Sequence, residues 1–185
     1  MRAWKKVCVG AAFLSAIVLY LWSTTPYGNR VSQDRPAPTC LQELSMAQLE
    51  FRNKDADQDG KANFWRADIA GLYAHAPGGG PAIKLAPLWI ASADDRPVVS
   101  LSSYSVPSTH GGYWYRAIRH AEENPQALRP DRFAFCAYPD SASAGKYLYV
   151  CDEQLRIFRS PANGRRGIDV FPTQEQLKAE WNQVD

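Results

Sequence analysis

Four apolar segments crowd the second half of the chain: GYWYRAIRH (112–120), RFAFCAYP (132–139), KYLYVCDE (146–153) and LRIFRS (155–160). Each is about a strand in length and rich in aromatic or β-branched residues. Turn residues separate them, apart from a tight corner at Asp152–Gln154, and the DSASAG stretch (140–145) suits a hairpin. Connections this short predict antiparallel neighbours in chain order. Side chains alternate along a strand, so a pairing register assigns faces. The register expected for the central hairpin sets Cys136 opposite Cys151, with Phe133, Phe135, Leu148 and Val150 on one face. Tyr138, Tyr147, Tyr149, Cys136 and Cys151 then share the other. That spacing fits a Cys136–Cys151 disulfide. Cys8 lies in the N-terminal apolar run, so the rest of the chain holds three cysteines, an odd number that allows at most one internal pair; Cys40 bridging to Cys136 or Cys151, or three buried free thiols, are the alternatives.

Helical patterns flank this region. Thr39 with Gln42 reads as a capping box, and Cys40, Leu41, Leu44, Ala47 and Phe51 make an apolar stripe running to about Lys54. Near the C-terminus, FPTQEQLKAEW (171–181) carries a second box, Thr173 with Gln176, and an apolar face of Leu177, Trp181 and Val184. Between them, NFWRADIAGLYAHA (63–76) suggests a short helix or turn near Asp68, PGGGP (77–81) a flexible break, and LWIASADD (88–95) a single helical turn. Residues 97–109, rich in Ser and Pro, read as irregular. The expected fold class is α+β: an N-terminal membrane or signal helix, then an amphipathic helix packed on a roughly four-stranded antiparallel meander, with a C-terminal helix.

The start of the chain supplies an address. Arg2, Lys5 and Lys6 precede the apolar run VCVGAAFLSAIVLYLW (7–22), with Tyr20 and Trp22 placed as interfacial anchors. The run is long for a signal-peptide core and short for a comfortable span, and only STT (23–25) follows as a cleavage site. Residues 1–22 therefore read as a signal anchor or a signal peptide, 23–38 as a Pro-rich linker, and 39–185 as the folded domain. Both readings export the domain. It is then anchored at the inner membrane through the N-terminal segment and faces the periplasm or exterior, or it is secreted after cleavage. A formal charge of +2 brings no strong electrostatic pull toward nucleic acid.

The segment DADQDG (55–60) places carboxylates on alternate positions ahead of a glycine. Short carboxylates at this spacing converge when the chain curls around a cation, and Gly permits the sharp turn. The candidate calcium ligands are Asp55, Asp57 and Asp59, the Lys61 carbonyl, and Asn63 at the usual water-bridging position. Arg66 falls where a calcium loop places its bidentate Glu, and Asp68 serves only if the loop is longer by two residues. The alternative is a solvated, metal-free turn that ends a helix. Bound calcium would be structural, fixing the crossover from helix to sheet.

The stretches DADQDGKANFW (55–65), DIAGLYA (68–74), HGGYWYRAI (110–118), FAFCAYP (133–139) and GKYLYV (145–150) resemble an uncharacterised group of exported bacterial pilin-like proteins. The resemblance covers about residues 45–182 and implies a type IV pilin-like fold and an envelope address, with no assigned chemistry. A prepilin has an aromatic residue after its cleavage glycine and then a Glu; here Ala11 follows Gly10 and Ser15 holds the Glu position. An anchored domain is the implied reading, with a minor pseudopilin-like component of a secretion or pilus apparatus as an alternative. The function expected is a non-enzymatic envelope or surface interaction module, calcium-stabilised in the metal-binding reading, with an envelope protein or glycan as partner. An exported hydrolase using His110 and Cys136 is the alternative from another class, although Cys136 lies in an apolar strand without an elbow motif. The NGRRG turn (163–167) is basic, and reads as a solvated turn or a partner contact.

Overall fold

Helix α1 spans Pro36–Lys54 in the computed structural model, which describes residues 36–121 and 129–184. Proline is tolerated in the first turn, where backbone N–H groups lack intrahelical partners. The helix thus begins before Thr39, which lies inside it instead of capping it. Ala37, Cys40, Leu41, Leu44, Ala47, Gln48 and Phe51 form its buried stripe. It ends at Asp55, whose φ is 47°, with Ala56 N–H donating to the Phe51 carbonyl at 3.1 Å. This is a Schellman stop made with Asp where Gly is usual, and Ala56 and Phe51 supply the accompanying apolar contact.

Residues 63–111 hold short elements only: α2 (Gly71–Ala74), a 3-10 turn (Pro77–Gly79) and α3 (Leu88–Ala91). The strands follow: β1 (Tyr113–His120), β2 (Ala134–Pro139), β3 (Tyr147–Asp152), β4 (Ile157–Pro161) and β5 (Val170–Phe171), then α4 (Gln174–Glu180) and β6 (Asn182–Val184). Thr173 and Gln176 make the full capping box of α4.

The sheet has six strands in the order β5-β1-β2-β3-β4-β6, and it is mixed. β5 runs parallel to β1, pairing Val170 with Arg119, and β6 pairs antiparallel with β4. This corrects the expected architecture of one helix on a four-stranded antiparallel meander. The two added strands have two and three residues, too few for a periodic signal in the sequence. They pair because the C-terminal segment crosses back over the sheet, a non-local event.

The register is also corrected, by one residue. Cys136 lies opposite Val150, and Cys151 opposite Phe135. A one-residue slip reverses every side chain. Phe133, Phe135, Tyr149 and Cys151 therefore face the core under α1, together with Tyr113, Tyr115, Leu44 and Phe51. Cys136, Tyr138, Leu148 and Val150 face a second core, closed by Phe158, Phe171, Leu177 and Trp181. Phe133 and Leu148 point to opposite sides. Every residue of β2 is buried because the sheet is covered on both faces, and a strand so placed reads as a continuous apolar run.

At the β1 and β3 ends, His120 lies buried between Arg132 and Glu153. The guanidinium of Arg132 faces His120 Nδ1 at 2.9 Å. Nε2 faces the Phe133 carbonyl at 3.2 Å and Glu153 Oε2 at 3.0 Å. The expected signal-anchor segment (1–22) lies outside the described residues. Among the described residues, no helix is long and apolar enough to cross a membrane.

Candidate functional site

The acidic loop hangs between two fixed points. Its start is the Schellman stop of α1. Its end is clamped by the buried Gln48, whose Nε2 donates to the Trp65 carbonyl at 2.6 Å while Trp65 N–H donates to Oε1 at 3.0 Å. Phe64 N–H donates to the Pro130 carbonyl at 2.9 Å and closes the segment onto the β1–β2 connection. The curl between these points needs left-handed backbone at Asp55, Gln58 and Gly60, the last with φ 77°.

In this curl one carboxylate oxygen from each of Asp55, Asp57 and Asp59 lies within 4.8 Å of the others. Asp55 accepts Gly60 N–H at 3.1 Å, and Asp59 accepts Lys61 N–H at 2.8 Å and Asn63 Nδ2 at 3.0 Å. Asp57 Oδ1 and Asn63 Oδ1 are withdrawn from solvent and have no hydrogen-bond partner. Buried acceptors are ordinarily satisfied, and two orphaned oxygens, one of them belonging to the carboxylate triplet itself, leave an oxygen-rich pocket of the kind hard cations occupy.

The remaining expected ligands divide. The Lys61 carbonyl accepts Asn63 N–H at 3.0 Å, and its ammonium lies 3.9 Å from Asp59 on an exposed side chain. Arg66, at the position expected to repel a cation, is turned away: its guanidinium donates to the Arg129 carbonyl at 2.9 Å and to that of Arg132. Asp68 is elsewhere. It is buried and accepts Trp65 Nε1 at 3.0 Å, Gly71 N–H at 2.9 Å, and the N–H groups of Val98 and Val99 at 2.6 Å. Beside it, buried Asp94 accepts Ile69 N–H at 2.7 Å, Ala70 N–H at 2.9 Å and Arg96 N–H at 3.0 Å. Two carboxylates thus staple irregular backbone that has no ladder to pair with. Burial pushes the Asp94 carboxyl up to about 6 against the pull of those N–H groups.

Burial governs the described cysteines. Cys40, Cys136 and Cys151 are free and buried, and the corrected register sends Cys136 and Cys151 to opposite faces. Desolvation raises the Cys40 thiol to about 11 and the Cys136 and Cys151 thiols to about 12. A thiol so held is protonated at neutral pH and is a poor nucleophile. His110 is stacked on Trp89, ring centroids 4.0 Å apart, and its own pKa is lowered by burial. Among the described residues no hydrogen bond joins it to Cys136.

Two further features escaped sequence reasoning. A buried ionic cluster lies on the second face. Arg116 grips Asp95 through Nε at 3.0 Å and through NH2, and donates through NH1 to Asp169 at 2.6 Å. Tyr138 donates to Asp95 at 2.6 Å and lies under the guanidinium. A cleft of about 580 Å³ opens at one end of the sheet, between the β2–β3 and β4–β5 loops. Arg116 within the apolar run YWYRAI hinted at the first. The basic NGRRG turn marks one wall of the second, but the cleft itself is not legible locally, because its other wall comes from a segment about twenty residues away. No protein family, no curated protein and no solved structure matches the chain.

Proposed function

We propose that the protein is a non-enzymatic, exported interaction module whose domain is stabilised by calcium at the 55–63 loop. The observation that carries the metal reading is the orphaned pair, Asp57 Oδ1 and Asn63 Oδ1, beside three converging carboxylates. Asp55, Asp57, Asp59 and Asn63 would contribute side-chain oxygens and Lys61 its carbonyl, with water completing the shell. The ion would neutralise mutual repulsion and fix the exit of α1 relative to Trp65. The export reading is supported by the basic start and apolar run of residues 2–22. Burial of every described thiol weighs against the Cys136 nucleophile of the alternative hydrolase reading.

Thermal melting tests the metal reading. An extracellular-type site with a Kd of about 1 mM, in about 10 mM calcium, stabilises by about 1.4 kcal/mol, or a few degrees in Tm. Magnesium, which demands a tighter octahedral shell, should shift Tm less. Equal melting in calcium and in chelator would remove the metal from this reading.

A further inference from the structure

We infer that the cleft at the end of the sheet binds an acidic saccharide, a sugar bearing carboxylate or sulfate groups. This deepens the interaction-module reading and rests on it only for the non-catalytic role; the calcium loop takes no part.

The cleft is held open by the fold. Ala162 N–H donates to the Lys146 carbonyl at 2.9 Å, tying its two walls together at the root. One wall turns through Asn163 and Gly164, with φ of 47° and 76°. The other is pressed against the start of β1: a Cβ on Gly112 would lie 2.9 Å from the Ala144 Cβ, so only glycine fits there. The volume of about 580 Å³ lies in the range of small-molecule sites.

Its charge is one-sided. Lys146, Arg165 and Arg166 line it, against a single carboxylate, Asp140, which is engaged with Trp114 Nε1 at 2.8 Å. Arg96, Arg116, Arg129, Arg132 and Arg156 all face carboxylates. Arg165 instead donates to neutral oxygens, Ser160 Oγ at 3.0 Å and the Pro161 carbonyl at 2.9 Å. Those bonds orient the guanidinium and leave its charge uncompensated. Arg166 is exposed and makes no hydrogen bond or ion pair among the described residues. Oriented cations facing solvent suit planar or tetrahedral oxyanions.

The rest of the lining selects the body that carries the anion. Pro139, Ala142 and Pro161 give small apolar surface, and Ser141 a hydroxyl, which matches the mixed faces of a sugar ring. A nucleobase would need an open aromatic face. Tyr147 is the aromatic residue of the lining, and the Arg159 guanidinium covers its ring at 4.9 Å.

Calorimetric titration of the full chain in chelator tests this, using an oligogalacturonate, a sulfated oligosaccharide, neutral maltotriose, adenosine monophosphate and sodium sulfate. At least one acidic oligosaccharide should bind, with maltotriose silent. Arg166→Gln, at an exposed position, should weaken binding by roughly tenfold or more, the loss of one charge-assisted hydrogen bond. Lys146→Gln should weaken it further, while the calcium response of both variants stays as in the wild type. Silence toward both acidic oligosaccharides at millimolar concentration overturns the inference. So does binding indifferent to Arg166→Gln, and so does sulfate or the nucleotide binding as tightly as the saccharide.

Discussion

The acidic loop and the Arg116 cluster handle charge in opposite ways. In the cluster, the side chains of Arg116 and Asp95 are about nine-tenths buried, and each charge meets an opposite one with good geometry. In the loop, Asp55, Asp57 and Asp59 converge at a half-exposed site where, among the described residues, the exposed Lys61 ammonium 3.9 Å from Asp59 is the compensating charge. Burial forces matching, because an unpaired ion in the interior costs several kcal/mol. Exposure relaxes that demand, so like charges gather at the surface only where backbone curvature brings them together. The cluster is architecture; the loop and the basic cleft are where a ligand can add something.

Removing one member of the matched set should show the largest effect. Arg116→Ala leaves Asp95 buried without its partner and should cost about 3–5 kcal/mol in denaturant unfolding. A loss below about 1 kcal/mol would mean that water reaches Asp95 and that the contrast with the loop is false.

Asp94 tests burial without a cationic partner. Its folded pKa of about 6 lies above the ordinary 3.8, so between those values the folded chain holds a proton that the unfolded chain has shed. Its contribution is fully present below the unfolded value and is lost as pH rises through about 6. The span corresponds to something on the order of 2–3 kcal/mol. Stability of the wild type measured against Asp94→Asn across this window should diverge with that sign. Parallel curves would place the Asp94 carboxyl in the ordinary range.

The loop should respond to calcium by about 1.4 kcal/mol at tenfold excess over its Kd, and Asp57→Asn should abolish that response. In chelator the same variant should melt within about 0.5 kcal/mol of the wild type, or above it, because a repulsive surface charge has gone. A large loss in chelator would show that Asp57 supports the fold directly. The thiols give the smallest signal: Cys40, Cys136 and Cys151 should resist iodoacetamide at pH about 8 in the native state and react after denaturation. Rapid native labelling of Cys136 would revive nucleophilic chemistry at that strand.

The helices and long strands were legible because their signals are local. The α1 stripe from Cys40 to Phe51, the Thr173–Gln176 box and the four apolar segments all show in windows of about a dozen residues. The acidic loop was legible for the same reason, as alternate carboxylates before a glycine. The start of α1 was misplaced because Thr39–Gln42 also fits a capping box, while prolines in a first turn cost little.

What local pattern could not decide is which face each strand presents. FAFCAYP is apolar at every position, so either register buries it equally well, and Cys136 opposite Cys151 looked as good as Cys136 opposite Val150. The choice was made by the second layer, where Phe171, Leu177 and Trp181 return from the C-terminus to cover Leu148 and Val150. The same return added β5 in parallel and β6 at the far edge. Contacts with the 98–99 segment drew Asp68 away from the loop, and the pairing of β3 with β4 set Lys146 and Arg165 on one cleft. Periodicity along the chain specifies which elements exist. Pairing, register and the company a side chain keeps are set by contacts between distant segments, where the free energy of burying both faces of the sheet selects one arrangement.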